Sequence, residues 1–395
     1  MGNINISLSP LYISVFLKTM AGIYIHIPFC KQQCSYCDFH FSTTFEAYRN
    51  EMIESICAEL KKRSSYLENK TVNTIYFGGG TPSLLTAEEL THILDESRKH
   101  YSVNSEVEIT LEANPDDITD LRLEQWADAG INRLSIGLQS FKQSDLDWMN
   151  RAHTVEEALS CVQKSQKKGF TNLTVDLIYG LPDLTMKEWE SHVQRVIDMQ
   201  VPHISAYCLT VEGKTALNNW VEKGKITVAS ENEQSDQFLR LLEMMEENGY
   251  EQYEISNFSI PRFESKHNSN YWKGEWYVGI GPSAHSFNGT SRNWNLANNR
   301  GYMKTIASNE NTFETELLSE ADQFNEAILT GLRTRYGVPI SKLSSAFSTK
   351  GDFVANYEGF IAEDWMYKKE NTLFLTKEGK LRADYIASEL FVEDN

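Results

Sequence analysis

The stretch "GIYIHIPFCKQQCSYCDF", residues 22–39, joins a run of strand-forming residues to a loop with three cysteines. Cys30, Cys34 and Cys37 are separated by three and then two residues, and they are half of the 6 cysteines in the chain. Three thiolates on one loop can hold a metal centre and leave one position open to a small molecule. The stretch therefore predicts a strand that ends at a metal site.

Five further β-rich runs follow the first one and alternate with helical patterns. They are residues 74–79, 107–114, 133–140, 173–182 and 203–211. Most are nearly continuous in apolar residues, which is typical of parallel strands covered on both faces. Six strand–helix units are fewer than the eight of a closed barrel, so an α/β fold with an open, partial (β/α)6 barrel or a doubly wound sheet is expected. In either fold the functional residues lie at the carboxyl ends of the strands.

The helical patterns between the strands carry recognisable signals. Apolar residues repeat at every fourth position in 45–61, which predicts a helix with one buried stripe. Thr86 with Glu89, and Thr185 with Glu188, have the spacing of capping boxes at helix starts. The sequence therefore predicts helices that follow these strands directly.

The change of pattern after about residue 215 divides the chain. We expect an N-terminal extension (1–19), a barrel core (20–225), a connecting segment (226–305) and a mostly helical, winged-helix-like C-terminal domain (306–395).

Composition excludes several classes of protein. The 395 residues carry a formal net charge of −18, which argues against a nucleic-acid partner because phosphate binding needs clustered cations. No run of about 18 apolar residues predicts a membrane span. The first residues lack a cationic start and a small-residue cleavage site, so no signal peptide is expected and a reducing cytoplasm is the predicted location.

Two kinds of metal centre fit the cysteine loop on spacing alone. Zinc would need a fourth ligand, and His40 could supply it. A [4Fe–4S] cluster held by three cysteines would leave one iron free to bind a small molecule. The other cysteines, at 57, 161 and 208, lie within helix or strand patterns and are interpreted as small core residues.

The motifs that follow the loop carry a family resemblance. They are "YIHIPFC", "CSYC", "YFGGGTPS", "LEANPDD", "SIGLQSF", "MNRAH", "VDLIYGLP" and "HNSNYW", in this order. Together they resemble the oxygen-independent coproporphyrinogen III oxidase family of radical S-adenosylmethionine (SAM) proteins, over nearly all of residues 20–390. The resemblance implies that Cys30, Cys34 and Cys37 bind a [4Fe–4S] cluster whose fourth iron is chelated by S-adenosylmethionine.

The resemblance also implies which residues surround the cofactor. It implies that Tyr24, Gly79 and Glu112 contact the S-adenosylmethionine bound to the cluster. A second cofactor-like pocket would be lined by Tyr36, Gly80, Thr81, Gln139, Arg151 and Asp176. From the residues alone, Glu112 is interpreted as a solvated loop carboxylate in preference to a cofactor ligand. Arg151 and Asp176 are equally an internal salt bridge.

Phe39 separates two branches of this family. The oxidases resemble one another in a Cys-x-Cys ending to the loop, and this sequence has Cys37, Asp38 and Phe39 instead. Only about 20 residues precede the first strand, whereas the oxidases have a longer segment that helps to enclose their substrate. In both features the sequence resembles the HemW-type haem chaperone branch instead. It is therefore expected to lack coproporphyrinogen III dehydrogenase activity.

The branch implies haem as a further ligand. "HNSNYW" places His267 among aromatic residues as the candidate haem ligand, and His285 is a second candidate. The expected function is to bind haem and transfer it to an acceptor haemoprotein, and the family allows a homodimer. The alternative is an oxidase that decarboxylates coproporphyrinogen III to protoporphyrinogen IX.

Overall fold

The computed structural model describes residues 20–394, and the predicted N-terminal extension lies outside the described residues. Each of the six predicted β-rich runs forms a strand. The strands are β1 (Met20–Ile27), β2 (Thr71–Gly79), β3 (Val103–Ala113), β4 (Arg133–Gln139), β5 (Leu173–Tyr179) and β6 (His203–Cys208). They pair in parallel and in sequence order, so the predicted succession of strand–helix units is confirmed.

Six helices run between these strands. They are α1 (Arg49–Lys62), α2 (Ala87–His100), α3 (Asp120–Ala129), α4 (Gln143–Trp148), α5 (Val155–Lys167) and α6 (Met186–Asp198). The predicted capping box at Thr86 forms, because its side chain accepts from the Glu89 N–H while the Glu89 carboxylate accepts from the Thr86 N–H at 2.8 Å. The box at Thr185 forms in the same way. Such reciprocal hydrogen bonds satisfy amide groups that a helix start leaves open.

The six parallel strands curve around a central cavity. Tyr24 on β1 and Tyr207 on β6 stand at opposite ends of this part of the sheet, yet both line the same cavity of about 610 Å³. A flat sheet cannot bring its two ends to one cavity, so the architecture is a partial (β/α)6 barrel rather than an open doubly wound sheet.

The segment after the barrel core adds strands to the same sheet. Its elements are α7 (Ala216–Glu222), α8 (Glu231–Glu247), β7 (Glu251–Glu254), β8 (Asn257–Ser259), α9 (Lys266–Trp272), β9 (Trp276–Ile280), β10 (His285–Phe287), β11 (Ser291–Asn295), α10 (Asn299–Ala307) and β12 (Phe313–Leu317). Strand β9 pairs in parallel with β1, and β8 pairs antiparallel with β6. The sheet therefore has 12 strands in the order β12-β11-β10-β9-β1-β2-β3-β4-β5-β6-β8-β7.

The C-terminal residues form a separate small core. Its elements are α11 (Glu320–Leu332), β13 (Val338–Pro339), α12 (Ser345–Ser348), α13 (Gly351–Ala362), β14 (Met366–Lys369), β15 (Thr372–Leu375), α14 (Lys377–Lys380) and α15 (Ala383–Glu389). Phe324, Phe353 and Ile386 pack together around the three-stranded sheet β13-β15-β14. Helices with a short hairpin match the winged-helix-like arrangement predicted from the sequence. None of the helices within residues 20–394 has the length and apolar character needed to cross a bilayer.

A buried ionic network fixes α1 to the strands beyond β1. Glu59 is fully buried and accepts hydrogen bonds from the Gly281 N–H at 2.8 Å, the Tyr302 hydroxyl at 2.7 Å and the Asn295 amide at 2.8 Å. Arg63 lies 3.9 Å from the Glu59 carboxylate and donates to the Gly279 carbonyl at 3.1 Å. Buried charges are tolerated only when they are satisfied in this way, so the network specifies how α1 packs.

Candidate functional site

The cysteine loop directly follows β1 and is held by the segment before α5. The Ser35 N–H donates to the Met149 carbonyl at 3.1 Å. The Asn150 side chain donates to the Gln33 carbonyl at 2.7 Å, and the Gln32 side chain donates to the Asn150 carbonyl at 2.8 Å. These contacts fix the loop backbone, so the thiols are positioned before any metal binds.

The three thiols of the loop line the central cavity and each has a nearby donor. The Thr81 hydroxyl donates to Cys30 Sγ at 3.4 Å, and Arg151 donates to Cys34 Sγ at 3.5 Å. The Phe39 backbone N–H donates to Cys37, which partly offsets its burial. Burial raises the pKa of Cys30 to about 11 and that of Cys37 to about 12, so these thiols need a metal to become thiolates at neutral pH. The donor set fits a cluster whose irons are bound by thiolate sulfur.

The geometry does not support His40 as a zinc ligand beside these cysteines. Its Nε2 is hydrogen-bonded to Asn299 Oδ1 at 2.7 Å, and its carbonyl is hydrogen-bonded to His26 Nε2. Across residues 20–394, no three side chains of His, Cys, Asp or Glu are grouped so that they could hold one metal ion. Cysteines that bind different irons of one cluster need not converge on a single ion, so the arrangement favours a cluster over zinc.

The glycine run after β2 is packed against the start of the cysteine loop. Gly79 has φ +105°, and a Cβ there would lie 2.5 Å from the His26 ring. A Cβ on Gly80 would lie 2.6 Å from the Phe29 carbonyl oxygen. Thr81 follows, buried, with its N–H donating to that same carbonyl at 2.6 Å. The glycines are therefore required by the protein itself to bring β2 against the loop, whatever they contribute to a cofactor.

Glu112 is a half-buried carboxyl on β3 that lines the cavity, and not a solvated loop residue. It accepts a hydrogen bond from the Tyr76 hydroxyl at 2.7 Å. Burial, and the nearby Asp176 charge, raise the pKa of Glu112 to about 7. Tyr24 lies beside it, and burial holds the pKa of that phenol above its usual range. A cationic ligand would favour the charged form of Glu112, as the ammonium or sulfonium group of S-adenosylmethionine would.

Arg151 and Asp176 both line the cavity but do not form the salt bridge that the sequence allowed. Arg151 donates to Asn114 Oδ1 at 2.8 Å and to the Gly137 carbonyl at 2.9 Å, besides Cys34. Burial raises the pKa of Asp176 to about 6. Both groups therefore keep capacity to contact a ligand with charges of both signs.

Tyr36 and Gln139 complete the predicted second pocket. Burial raises the pKa of Tyr36 above its usual range, against the opposing charge of Arg151. Gln139 ends β4 with φ +68°. Its side chain lies against Gly137, because a Cβ added to Gly137 would be 2.7 Å from Gln139 Nε2. Both residues line the same cavity as the cysteines.

The two candidate haem ligands lie in different environments. His267 is 2% exposed, and its ring stacks on Tyr76 with centroids 5.0 Å apart. Its Nδ1 is hydrogen-bonded to Thr74 Oγ1 at 2.8 Å and its Nε2 to the Tyr271 hydroxyl at 2.8 Å. Burial lowers its pKa to about 3, so the imidazole is neutral. His285 on β10 is exposed and does not line the cavity.

Sequence comparisons with known proteins agree with a cluster-binding site at the cysteine loop. Residues 24–196 match the family model of the radical SAM superfamily. Heme chaperone HemW of Lactococcus lactis is 33% identical over 96% of this chain and 99% of that protein, and HemW of Bacillus subtilis is 31% identical over 92% and 97%. The chain belongs to the HemW-type branch of the radical SAM superfamily. Membership of this superfamily implies a [4Fe–4S] cluster and S-adenosylmethionine.

A solved structure shares the fold of this HemW-type chain. Coproporphyrinogen III oxidase (HemN) from Escherichia coli superposes with a TM-score of 0.81 at 20% identity, covering 95% of this chain and 91% of that one. The similarity extends through the C-terminal elements, so the HemW-type branch and the oxidase share one overall architecture.

Sequence reasoning missed several polar residues of this HemW-type site. Asn150 lies within the motif "MNRAH", but nothing in the sequence indicated that its side chain holds the cysteine loop. Arg133, Thr110 and His203 also line the cavity, deeper than the cofactor residues. Their signal was the alternation of polar and apolar residues in β3, β4 and β6, which the interpretation of these runs as nearly continuous in apolar residues overlooked.

Proposed function

We propose that this chain is a haem chaperone, which binds haem and transfers it to an acceptor haemoprotein. The observation that carries the proposal is its similarity, over 96% of its own length and 99% of the relative's, to a protein named Heme chaperone HemW. Similarity across both the barrel and the C-terminal elements supports a shared function of the whole molecule and not only a shared cofactor domain.

Cys30, Cys34 and Cys37 would hold the cluster in this proposal. Glu112 would receive the cationic part of S-adenosylmethionine in the cavity, with Tyr24 and Gly79 beside it. When bound there, the cofactor supplies one-electron chemistry that no side chain offers. Arg151 fixes the loop by contacting Cys34 and Asn114, so that the thiols and the cavity keep their relative positions.

Phe39 supports the chaperone function over the oxidase function. It is 68% exposed and lines the cavity. The oxidases that the sequence resembles share a cysteine at this position. An exposed aromatic ring provides apolar contact area for a flat macrocycle but no thiol chemistry. Phe41 also lines this part of the cavity.

His267 is the proposed axial ligand of the haem iron. A neutral imidazole is the protonation state that binds iron, and the Tyr76 ring stacked on it holds its orientation. For Nε2 to reach an iron, the Tyr271 hydroxyl has to move away. His285 needs no such rearrangement, because it is exposed, and it is therefore the comparison residue.

Haem titration of the anaerobically reconstituted protein tests this proposal. We expect one haem per chain with a histidine-ligated Soret band, which His267→Ala shifts and weakens while His285→Ala leaves it unchanged. Absence of stoichiometric haem binding by the wild-type protein would refute the chaperone function. Normal binding and spectrum in His267→Ala would refute only the ligand assignment.

A further inference from the structure

The inner wall of the barrel is polar well below the cysteine loop. The interior of a closed (β/α)8 barrel is usually filled by apolar side chains. Here alternate residues of β3 to β6 that face the cavity are mostly polar: Thr110, Glu112, Arg133, Ser135, Gln139, Thr174, Asp176, His203 and Ser205. A wall of this composition is suited to a polar ligand, and the cofactor residues account only for its upper part.

Arg133 is the buried cation at the lower end of this wall. It begins β4 and is 2% exposed. It donates to Asn172 Oδ1 at 2.9 Å and to the Thr174 hydroxyl, which are both neutral acceptors, while its Nε has no hydrogen-bond partner. Within residues 20–394, no carboxylate oxygen lies within the 4.0 Å of its guanidinium that defines an ion pair. Leaving a buried charge without a carboxylate in direct contact is costly, so a bound anion would stabilise Arg133.

Another buried arginine, by contrast, has a carboxylate within ion-pair distance. Arg63 is also buried, and Glu59 stands 3.9 Å from it. Asp176 is the carboxyl whose charge Arg133 influences, but it is not close enough to pair. Arg133 differs from Arg63 because it lines a cavity, where a counter-ion can enter.

Thr110 provides a second group without a partner at the same place. It is the direct neighbour of Arg133 in the β3–β4 register, it is 0% exposed, and its hydroxyl has no hydrogen-bond partner. Both residues line the cavity. The Arg133 Nε–H and the Thr110 hydroxyl together suit the two oxygens of one carboxylate, and because both atoms are closed off from solvent, a neighbouring side chain has to shift to admit it.

The lower end of the wall lies below the cofactor residues. Arg133 and Gln139 are the first and last of the 7 residues of β4, which places them about 20 Å apart along the strand. Gln139 is at the end nearer the cysteine loop. Glu112, the nearest residue assigned to S-adenosylmethionine, lies two residues beyond Thr110 on β3, about 7 Å along the strand, so a small ligand at Arg133 would lie below the cofactor and border its space.

We propose that the floor of the barrel around Arg133 and Thr110 binds a small carboxylate. The free Nε–H of Arg133 donates to one carboxylate oxygen and the Thr110 hydroxyl donates to the other. Asn172 and Thr174 hold the guanidinium in place. This site is independent of the haem-binding proposal, because it uses none of the same residues.

Calorimetric titration of the anaerobic, cluster-reconstituted full chain with sodium propionate tests the site, with sodium chloride at equal ionic strength as the reference. We expect saturable binding of propionate that Arg133→Met weakens by at least tenfold. Arg122→Met is the matched control, since Arg122 donates to the Leu85 carbonyl outside the cavity, and it should bind propionate as the wild type does.

Thr110→Val keeps the test decisive if Arg133→Met does not fold. Valine has the same shape without the hydroxyl, and losing one hydrogen bond to the charged carboxylate should weaken propionate binding at least about tenfold. No saturable response in the wild type, as a water-filled floor would give, overturns the proposal. So does unchanged affinity in Thr110→Val, or loss of binding in Arg151→Met alone, which would place the carboxylate at the cofactor end.

Discussion

Removing the Tyr271 hydroxyl should make haem bind more tightly, if His267 is the ligand. In the structure, His267 Nε2 is hydrogen-bonded to this hydroxyl at 2.8 Å and Nδ1 to Thr74 Oγ1 at 2.8 Å. Haem iron and the phenol therefore compete for the same nitrogen. Tyr271→Phe removes the competitor while keeping the ring that packs edge-on against His267, with centroids 5.0 Å apart.

The size of the effect follows from the state of the free protein. In Tyr271→Phe, Nε2 stays buried but has no partner, which costs about 1–3 kcal/mol. Iron ligation recovers that energy, whereas in the wild type it must first break the hydrogen bond. Since about 1.4 kcal/mol corresponds to tenfold, haem affinity should rise at least about fivefold in the variant.

Soret titration of the reconstituted variant measures this change directly. Tyr277→Phe is the control, because its ring lies edge-on to Tyr271 at 4.6 Å and the structure gives it no hydrogen bond to His267. It should leave the haem dissociation constant unchanged. Equal or weaker haem binding in Tyr271→Phe would refute the argument that His267 Nε2 must be released before it binds iron.

Three further outcomes follow from other contacts. Glu59→Ala removes the acceptor of four buried hydrogen bonds beside Arg63, which should cost about 3–5 kcal/mol and lower the apparent melting temperature by about 5 °C; a decrease below about 1 °C would contradict it. Burial raises the pKa of Glu112 to about 7 and that of Asp176 to about 6, so binding of cationic S-adenosylmethionine should release protons and tighten as the pH rises through these values. Calorimetry in buffers of different ionisation enthalpy detects the release, and zero release would be inconsistent with these pKa values. Asn150→Ala loses one clamp on the cysteine loop, so a chelator should strip the cluster about fivefold faster; an unchanged rate would show that the clamp is dispensable.

The barrel core was predictable because its signals are local. Six β-rich runs and two capping boxes each occupy fewer than about a dozen neighbouring residues, and every one of them forms in the structure. The pairing of β9 with β1 joins Val278 to Ile23, across most of the barrel core. No local pattern specifies such a partner, so the segment 226–305 was interpreted only as a connection. The domain boundaries themselves stay a prediction.

The candidate site, too, was predictable from the sequence only in part. Carboxyl ends of parallel strands meet at one edge, so the cysteine loop, Gly79 and Gln139 could be expected around one cavity, as they are. Which side chains pair within it could not be derived, because Arg151 has several neutral acceptors within reach and the sequence does not rank them. The salt bridge with Asp176, which the sequence left open as an alternative, does not form, and Arg151 contacts Asn114 instead.

The most direct test of the chaperone account is one anaerobic reaction of the reconstituted protein with S-adenosylmethionine, a reductant, haem and coproporphyrinogen III. Chromatography of the products and the Soret band are measured together. The account predicts one haem bound per chain and coproporphyrinogen left unconsumed. Formation of protoporphyrinogen IX would contradict it and would establish that a loop with Phe39 in place of a cysteine still supports the oxidase reaction.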